Sequence, residues 1–203
     1  MESVNSVVLI PKTMARCYDV DYGGRRYLID AGTKGSGRKI ISYYNEIGAK
    51  PIIILITHYH PDHIGGLKSI YEAFGPKIYV PDKEIDVVRG KKKMEKMDSI
   101  VSRLIPAISR IDGVESVMPV SSFKSDGIEI VDSGGHTPDS RSYKFTRLNA
   151  LFTGDSALMK RDGIGFSNTF TLDHGAAQQS LEKIMNIHGI TCYPGHGPTF
   201  RVE

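Results

Sequence analysis

Residues 57–66 read Thr-His-Tyr-His-Pro-Asp-His-Ile-Gly-Gly, and no other stretch of the 203-residue chain packs so many metal-capable side chains into so few positions. His58, His60, Asp62 and His63 are the candidate ligands, since neutral imidazole nitrogens and carboxylate oxygens are the donors that borderline divalent cations such as zinc prefer. Donors this close together cannot be spread around a helix, so a sharp loop must gather them. Glycine-flanked histidines and acids recur later, in Gly134-Gly135-His136-Thr137-Pro138, Thr153-Gly154-Asp155 and Pro194-Gly195-His196-Gly197-Pro198. Each follows a strand-like run and enters a loop. Glycine and proline let the backbone turn sharply there, so one side chain from each loop can face a common point. Five of the seven histidines fall in these segments. His174 and His188 do not, and read as a helix-start and a helix-face residue.

The elements that must deliver these loops are visible in the apolar pattern. Residues 6–10, 16–20 and 26–30 alternate as strands around a Tyr22-Gly23-Gly24 turn, which predicts an antiparallel meander. Ile40, Tyr43, Tyr44 and Ile47 fall at helical spacing over 39–47, and the apolar run 51–57 is a buried strand leading into the first histidine cluster. A helix over 64–74, stopped by Gly75-Pro76, and a strand over 77–80 follow. Residues 82–115 change character, with Met97, Val101, Leu104 and Ile108 on one helical face, and read as an inserted helical segment. Strands resume at 116–120, 127–131, 142–148 and 150–153, mostly antiparallel, before a helix over 173–187 capped by Asp173 and a closing strand at 190–193. Two halves of strands and helices predict an α+β sandwich, sheets inside and helices outside.

With His-X-His-X-Asp-His followed in order by His136, Asp155 and His196, the sequence resembles the metallo-β-lactamase fold superfamily over essentially its whole length. The resemblance implies a single domain over 1–203, a four-layer αββα sandwich, and two divalent metal ions at one sheet edge. Position by position, it implies that His58, His60 and His136 hold one metal, that Asp62, His63 and His196 hold the other, and that Asp155 bridges both. Zinc is the expected metal, with manganese or iron acceptable to the same donors. A hydroxide held between two such ions is a nucleophile at neutral pH, because a metal lowers the pKa of bound water from roughly 16 to about 7. Asp62 also accepts or relays a proton in this reading. Asp30, at a strand end that in the superfamily lies near the metals, orients a ligand histidine through the ring's other nitrogen.

Thr-His-X-His-X-Asp-His together with Gly-His-Thr-Pro is similar to the glyoxalase II-like thioester hydrolases, whose usual residue after that proline is glycine. Asp139 stands there instead, and is expected to alter the turn of the His136 loop and project a carboxylate toward the cleft. Glyoxalase II proper also carries a C-terminal helical part with thiol-cofactor contacts; few residues follow Pro198, so a glutathione thioester is not the expected substrate. The 82–115 insertion, read as a lid, and the 160–168 loop are expected to supply the substrate wall.

These features predict a dinuclear metal-dependent hydrolase acting on a small ester, thioester or lactone. A mononuclear iron enzyme of the persulfide dioxygenase type and a phosphodiesterase or nuclease are the alternatives. The resemblance implies a small-molecule substrate as the partner. A net charge of +3 gives no extended phosphate track, and the Lys91-Lys92-Lys93 run is diluted by Glu95 and Asp98, so nucleic acid is not expected. Cys17 and Cys192, far apart in the chain, form no disulfide framework, which points to a reducing cytoplasm. No apolar run approaches the roughly 20 residues a membrane span needs.

Overall fold

The computed structural model describes residues 5–95 and 112–203. They divide into two compact units, one taking in the chain through Lys93 and the return stretch ending at Phe123, the other running from Lys124 to Glu203.

The first unit is built on a six-stranded sheet. Strands β1 (Ser6–Leu9), β2 (Tyr18–Tyr22) and β3 (Arg25–Ile29) form the expected antiparallel meander, and β4 (Ile53–Leu55), β5 (Lys77–Val80) and β6 (Val117–Pro119) extend it in parallel. The β2–β3 hairpin turns on Gly23 and Gly24, both left-handed at φ 60° and 73°, a conformation glycine adopts without steric cost. Parallel neighbours need crossovers, and α1 (Lys34–Glu46) supplies the one from β3 to β4. It begins before the expected residue 39 because Thr33 caps it, its side chain accepting from the Ser36 amide. A buried carboxylate ties the helix to the sheet: Asp19 accepts from the Tyr43 and Tyr44 hydroxyls at 3.0 and 2.9 Å and pairs with Arg26.

The helix expected over 64–74 is broken in two. A single turn, α2 (Pro61–Ile64), is separated from α3 (Leu67–Phe74) by Gly65-Gly66. Close approach is the cause: a Cβ on Gly66 would lie 2.2 Å from the Ala31 carbonyl oxygen and 2.8 Å from Gly37 Cα of α1. Two short hydrogen bonds fasten this contact, Ala31 N to His63 O at 2.7 Å and Gly66 N to Gly32 O at 3.0 Å. Gly75, left-handed at φ 63°, ends α3 as expected. Of the 82–115 segment, a 3-10 turn over Asp82–Glu84 and α4 (Ile85–Val88) are helical, with Val87 and Val88 buried. The face expected at Met97, Val101, Leu104 and Ile108 lies outside the described residues.

The second unit holds a five-stranded sheet in the order β13-β12-β9-β8-β7, formed by β7 (Ile128–Asp132), β8 (Arg141–Phe145), β9 (Ala150–Gly154), β12 (Ile190–Pro194) and β13 (Phe200–Val202). All pairs are antiparallel except β12 with β9, whose crossover carries α5 (His174–Met185). Asp173 caps α5, accepting from the Ala176 amide at 2.9 Å. Ala177, Leu181 and Ile184 are its buried face, and Leu181 and Ile184 share a core cluster with Leu151, Cys192, Phe200 and Val202. His188 lies past the end of the helix and is exposed. A two-stranded ribbon, β10 (Leu158–Lys160) with β11 (Gly163–Gly165), occupies part of the expected 160–168 loop. No helix among the described residues is long and apolar enough to cross a membrane.

Candidate metal centre

In the first unit the donors gather where β4 runs out into α2. Pro61 suits the first position of a helix, where its missing amide proton is not needed, and this places His60 just before the turn with Asp62 and His63 inside it. Asp30 stands at the end of the neighbouring β3 with a left-handed backbone, φ 58°. Its buried carboxylate accepts three hydrogen bonds: from Thr57 N to Oδ1 at 2.8 Å, from Thr57 Oγ1 to Oδ2 at 2.8 Å, and from His63 Nδ1 to Oδ2 at 2.7 Å. This arrangement sets two tautomers. His63 gives its Nδ1 proton to Asp30, so its Nε2 carries the lone pair. The Thr57 hydroxyl spends its only proton on Asp30, so its oxygen accepts from His58 Nδ1, 3.1 Å away, and His58 Nε2 likewise carries a lone pair. His58 Nε2 and His60 Nδ1 are 3.0 Å apart, close to the roughly 3.3 Å that separates two nitrogens on one tetrahedral zinc. Asp62 Oδ2 is 4.0 Å from His63 Nε2, and with 30% of its side chain exposed it is the wettest donor in this group.

In the second unit, three loops at sheet ends hold the remaining donors. His136 comes from the β7–β8 loop, Asp155 follows β9 and His196 follows β12. Because β9 and β12 are parallel neighbours, the residues after them emerge side by side, a placement fixed by the Gly195 N to Gly154 O hydrogen bond of 2.8 Å. Asp155 Oδ2 lies 3.5 Å from His136 Nε2 and 3.6 Å from His196 Nε2. One carboxylate oxygen thus addresses two imidazoles from different loops. His136 and Asp155 are buried, His196 partly so.

The His136 loop is held from several sides. Gly135 presses on α5, where a Cβ would fall 2.2 Å from Ala177 N, and the Ser180 hydroxyl donates to the Gly134 carbonyl at 2.6 Å. Thr137 Oγ1 is 2.6 Å from Ser140 Oγ, closing the turn. The Asp139 carboxylate is buried and pairs with Arg141, which also holds Asp132 at 2.8 Å. The extra acid is thus paired with a cation two residues on, at the start of β8. Thr171, which nothing in the sequence pattern singles out, places its buried Oγ1 3.2 Å from His136 Nδ1. His174 is exposed and faces the Asn168 carbonyl at 3.1 Å. Cys192 and Cys17 are buried free thiols, and burial pushes the Cys192 thiol up to about 12.

Imidazole nitrogens, carboxylate oxygens and donor separations of 3.0, 3.5 and 3.6 Å are the chemistry and spacing that divalent cations require of their ligands. A family profile described as the metallo-beta-lactamase superfamily matches residues 11–196, a span that includes every candidate donor from His58 to His196.

The chain belongs to the metallo-β-lactamase superfamily.

It has the α+β fold of that superfamily and is a metal-dependent hydrolase by that membership. A probable metallo-hydrolase of Methanocaldococcus jannaschii is 32% identical over 185 residues, which cover 86% of this chain and 84% of that protein. An atrochrysone carboxyl ACP thioesterase of Aspergillus fumigatus is 30% identical over 183 residues, 89% of this chain but 50% of the relative. Among solved structures, a protein crystallised in a di-iron-bound form superposes with a TM-score of 0.77 at 22% identity, covering 97% of this chain and 94% of that one.

Proposed function

We propose that this metallo-β-lactamase superfamily member joins its two donor groups into one dinuclear centre and hydrolyses a small ester, thioester or lactone. His58, His60 and His136 hold one cation, Asp62, His63 and His196 hold the other, and Asp155 is shared. The observation that carries the reading is the position of Asp155 Oδ2 between His136 and His196, because a carboxylate oxygen facing two imidazole nitrogens is what a bridging ligand needs. Since each unit contains only part of the donor set, the reading also treats the two as one functional domain.

Divalent cations bound there supply an acidified water and polarise the scissile carbonyl. The protein's own part is orientation and proton handling. Asp30 and Thr57 hold the rings of His58 and His63 with their Nε2 lone pairs outward, so little reorganisation is needed on binding. Asp62, more exposed than its neighbours, accepts or relays the proton released during attack. A thioester leads within the class because a relative that matches 89% of the chain is named as an ACP thioesterase. The free buried thiols accord with a reducing cytoplasm.

The test is a panel of a pantetheine thioester, a homoserine lactone, p-nitrophenyl acetate and bis(p-nitrophenyl) phosphate, offered to metal-replete protein. Turnover of the carbonyl substrates, lost with chelator and restored by zinc or manganese, is expected. Hydrolysis of the phosphodiester alone, or oxygen uptake with a persulfide, would overturn the substrate class.

A further inference from the structure

We propose that Thr171 is a positioning residue that fixes the metal-binding tautomer of His136, an inference that rests on His136 being a ligand. Three consecutive residues grip the segment that carries this histidine. Thr171 Oγ1 is 3.2 Å from His136 Nδ1, Leu172 N donates to the His136 carbonyl at 3.2 Å, and Asp173 N donates to the Gly135 carbonyl at 2.9 Å. The grip is anchored, because Asp173 also caps the 12-residue α5, whose Ala177 abuts Gly135. The backbone of His136 is therefore fixed, and its ring Nδ1 meets the buried Thr171 hydroxyl.

That hydroxyl can accept the Nδ1 proton, as binding of a metal through Nε2 requires. With the Nδ1 proton given to Thr171, Nε2 turns a lone pair toward the Asp155 carboxylate oxygen 3.5 Å away. Two electron-rich atoms facing each other repel unless a cation lies between them, so this tautomer is the one prepared for metal. In the opposite tautomer, Nε2–H points at Asp155 in a long contact and occupies the donor position the cation requires. His63 and His58 in the other unit have their outward nitrogens held through Asp30, directly and by way of Thr57. Thr171 performs the same service for His136 with a neutral acceptor.

The experiment compares wild type with Thr171→Val, Thr171→Ala, Thr171→Ser and His136→Ala, all as full-length chains. Zinc affinity is read by competition with a chromogenic chelator, the His136 tautomer by 15N NMR of the apoprotein, and folding by the apoprotein melting temperature. Thr171→Val and Thr171→Ala should each weaken one of the bound zinc ions by about 10–100-fold and shift His136 toward Nε2–H, whereas Thr171→Ser stays within about threefold of wild type. Melting temperatures within a few degrees of wild type separate this from general unfolding, and the alanine variant removes the same hydroxyl if valine disturbs packing. Wild-type affinity and tautomer in both hydroxyl-less variants, or equal losses in the serine variant, would overturn the role of Thr171. Undiminished zinc binding by His136→Ala would overturn the ligand reading beneath it.

Discussion

Asp155 has more to do in the proposed centre than any single histidine, because its Oδ2 is within reach of both His136 and His196. Asp155→Asn keeps the shape of the side chain but replaces an anionic oxygen with a neutral amide that serves two metals poorly. Metal content should fall below two per chain and kcat/KM by at least about 100-fold, with the melting temperature of the apoprotein nearly unchanged; elemental analysis and steady-state kinetics check this. Asp30 acts at one remove. Asp30→Ala strands the Thr57 amide, the Thr57 hydroxyl and His63 Nδ1 without their acceptor, so it should weaken metal binding by about 10–100-fold and also destabilise the fold by about 1–3 kcal/mol, measured by chelator competition and urea unfolding. The candidate donors stood out in the sequence because metal-competent residue types cluster at local spacings between glycines. The parts played by Asp139 and Thr171 did not, since what each does depends on a partner placed by folding: Arg141 takes the Asp139 carboxylate, and a segment from beyond β11 brings Thr171 to His136.

At the scale of elements, the first histidine cluster is aimed by the packing of α1 against the Gly65-Gly66 break. The sequence pattern showed a helix there but not its interruption, because the steric cause lies in Ala31 and Gly37, remote in the chain. Gly66→Ala would put a methyl 2.2 Å from a carbonyl oxygen, so either the break or α1 must shift. A loss of about 1–3 kcal/mol in urea unfolding is expected, together with weaker metal binding, since His63 sits one turn away. The short elements were the least legible. β10, β11 and β13 have three residues each, too few to show an alternation, and are defined by their cross-strand partners instead. The long helices α1 and α5 were legible because apolar residues recur over several turns, whereas residues 34–38 of α1, polar and glycine-rich behind the Thr33 cap, were not.

For the molecule as a whole, burial leaves a signature in alkaline stability. Cys17, Cys192, Tyr43 and Tyr44 are all raised, chiefly by burial, with the Asp19 charge adding to the tyrosines and the Asp30 charge to Cys17. The folded chain therefore keeps protons that the unfolded chain releases from about pH 9.0 upward, where an ordinary thiol titrates. Since the unfolded state then binds fewer protons, stability must fall as pH rises from about 9 toward 12, and urea midpoints measured across that range should decline steadily. The same burial predicts that neither thiol of the native protein reacts quickly with a chromogenic disulfide reagent at neutral pH, whereas both react once the chain is denatured. The α+β class and the two-sheet organisation were legible from the alternation of strand and helix patterns; the division into two compact units was not, because it depends on which strands pair.

The central claim is that both donor groups serve one pair of cations, and the metal content of the purified protein tests it most directly. Elemental analysis should find two divalent ions per chain in wild type and fewer in both His58→Ala and His196→Ala, variants drawn from different units. One iron per chain, unaffected by loss of His196, would contradict it.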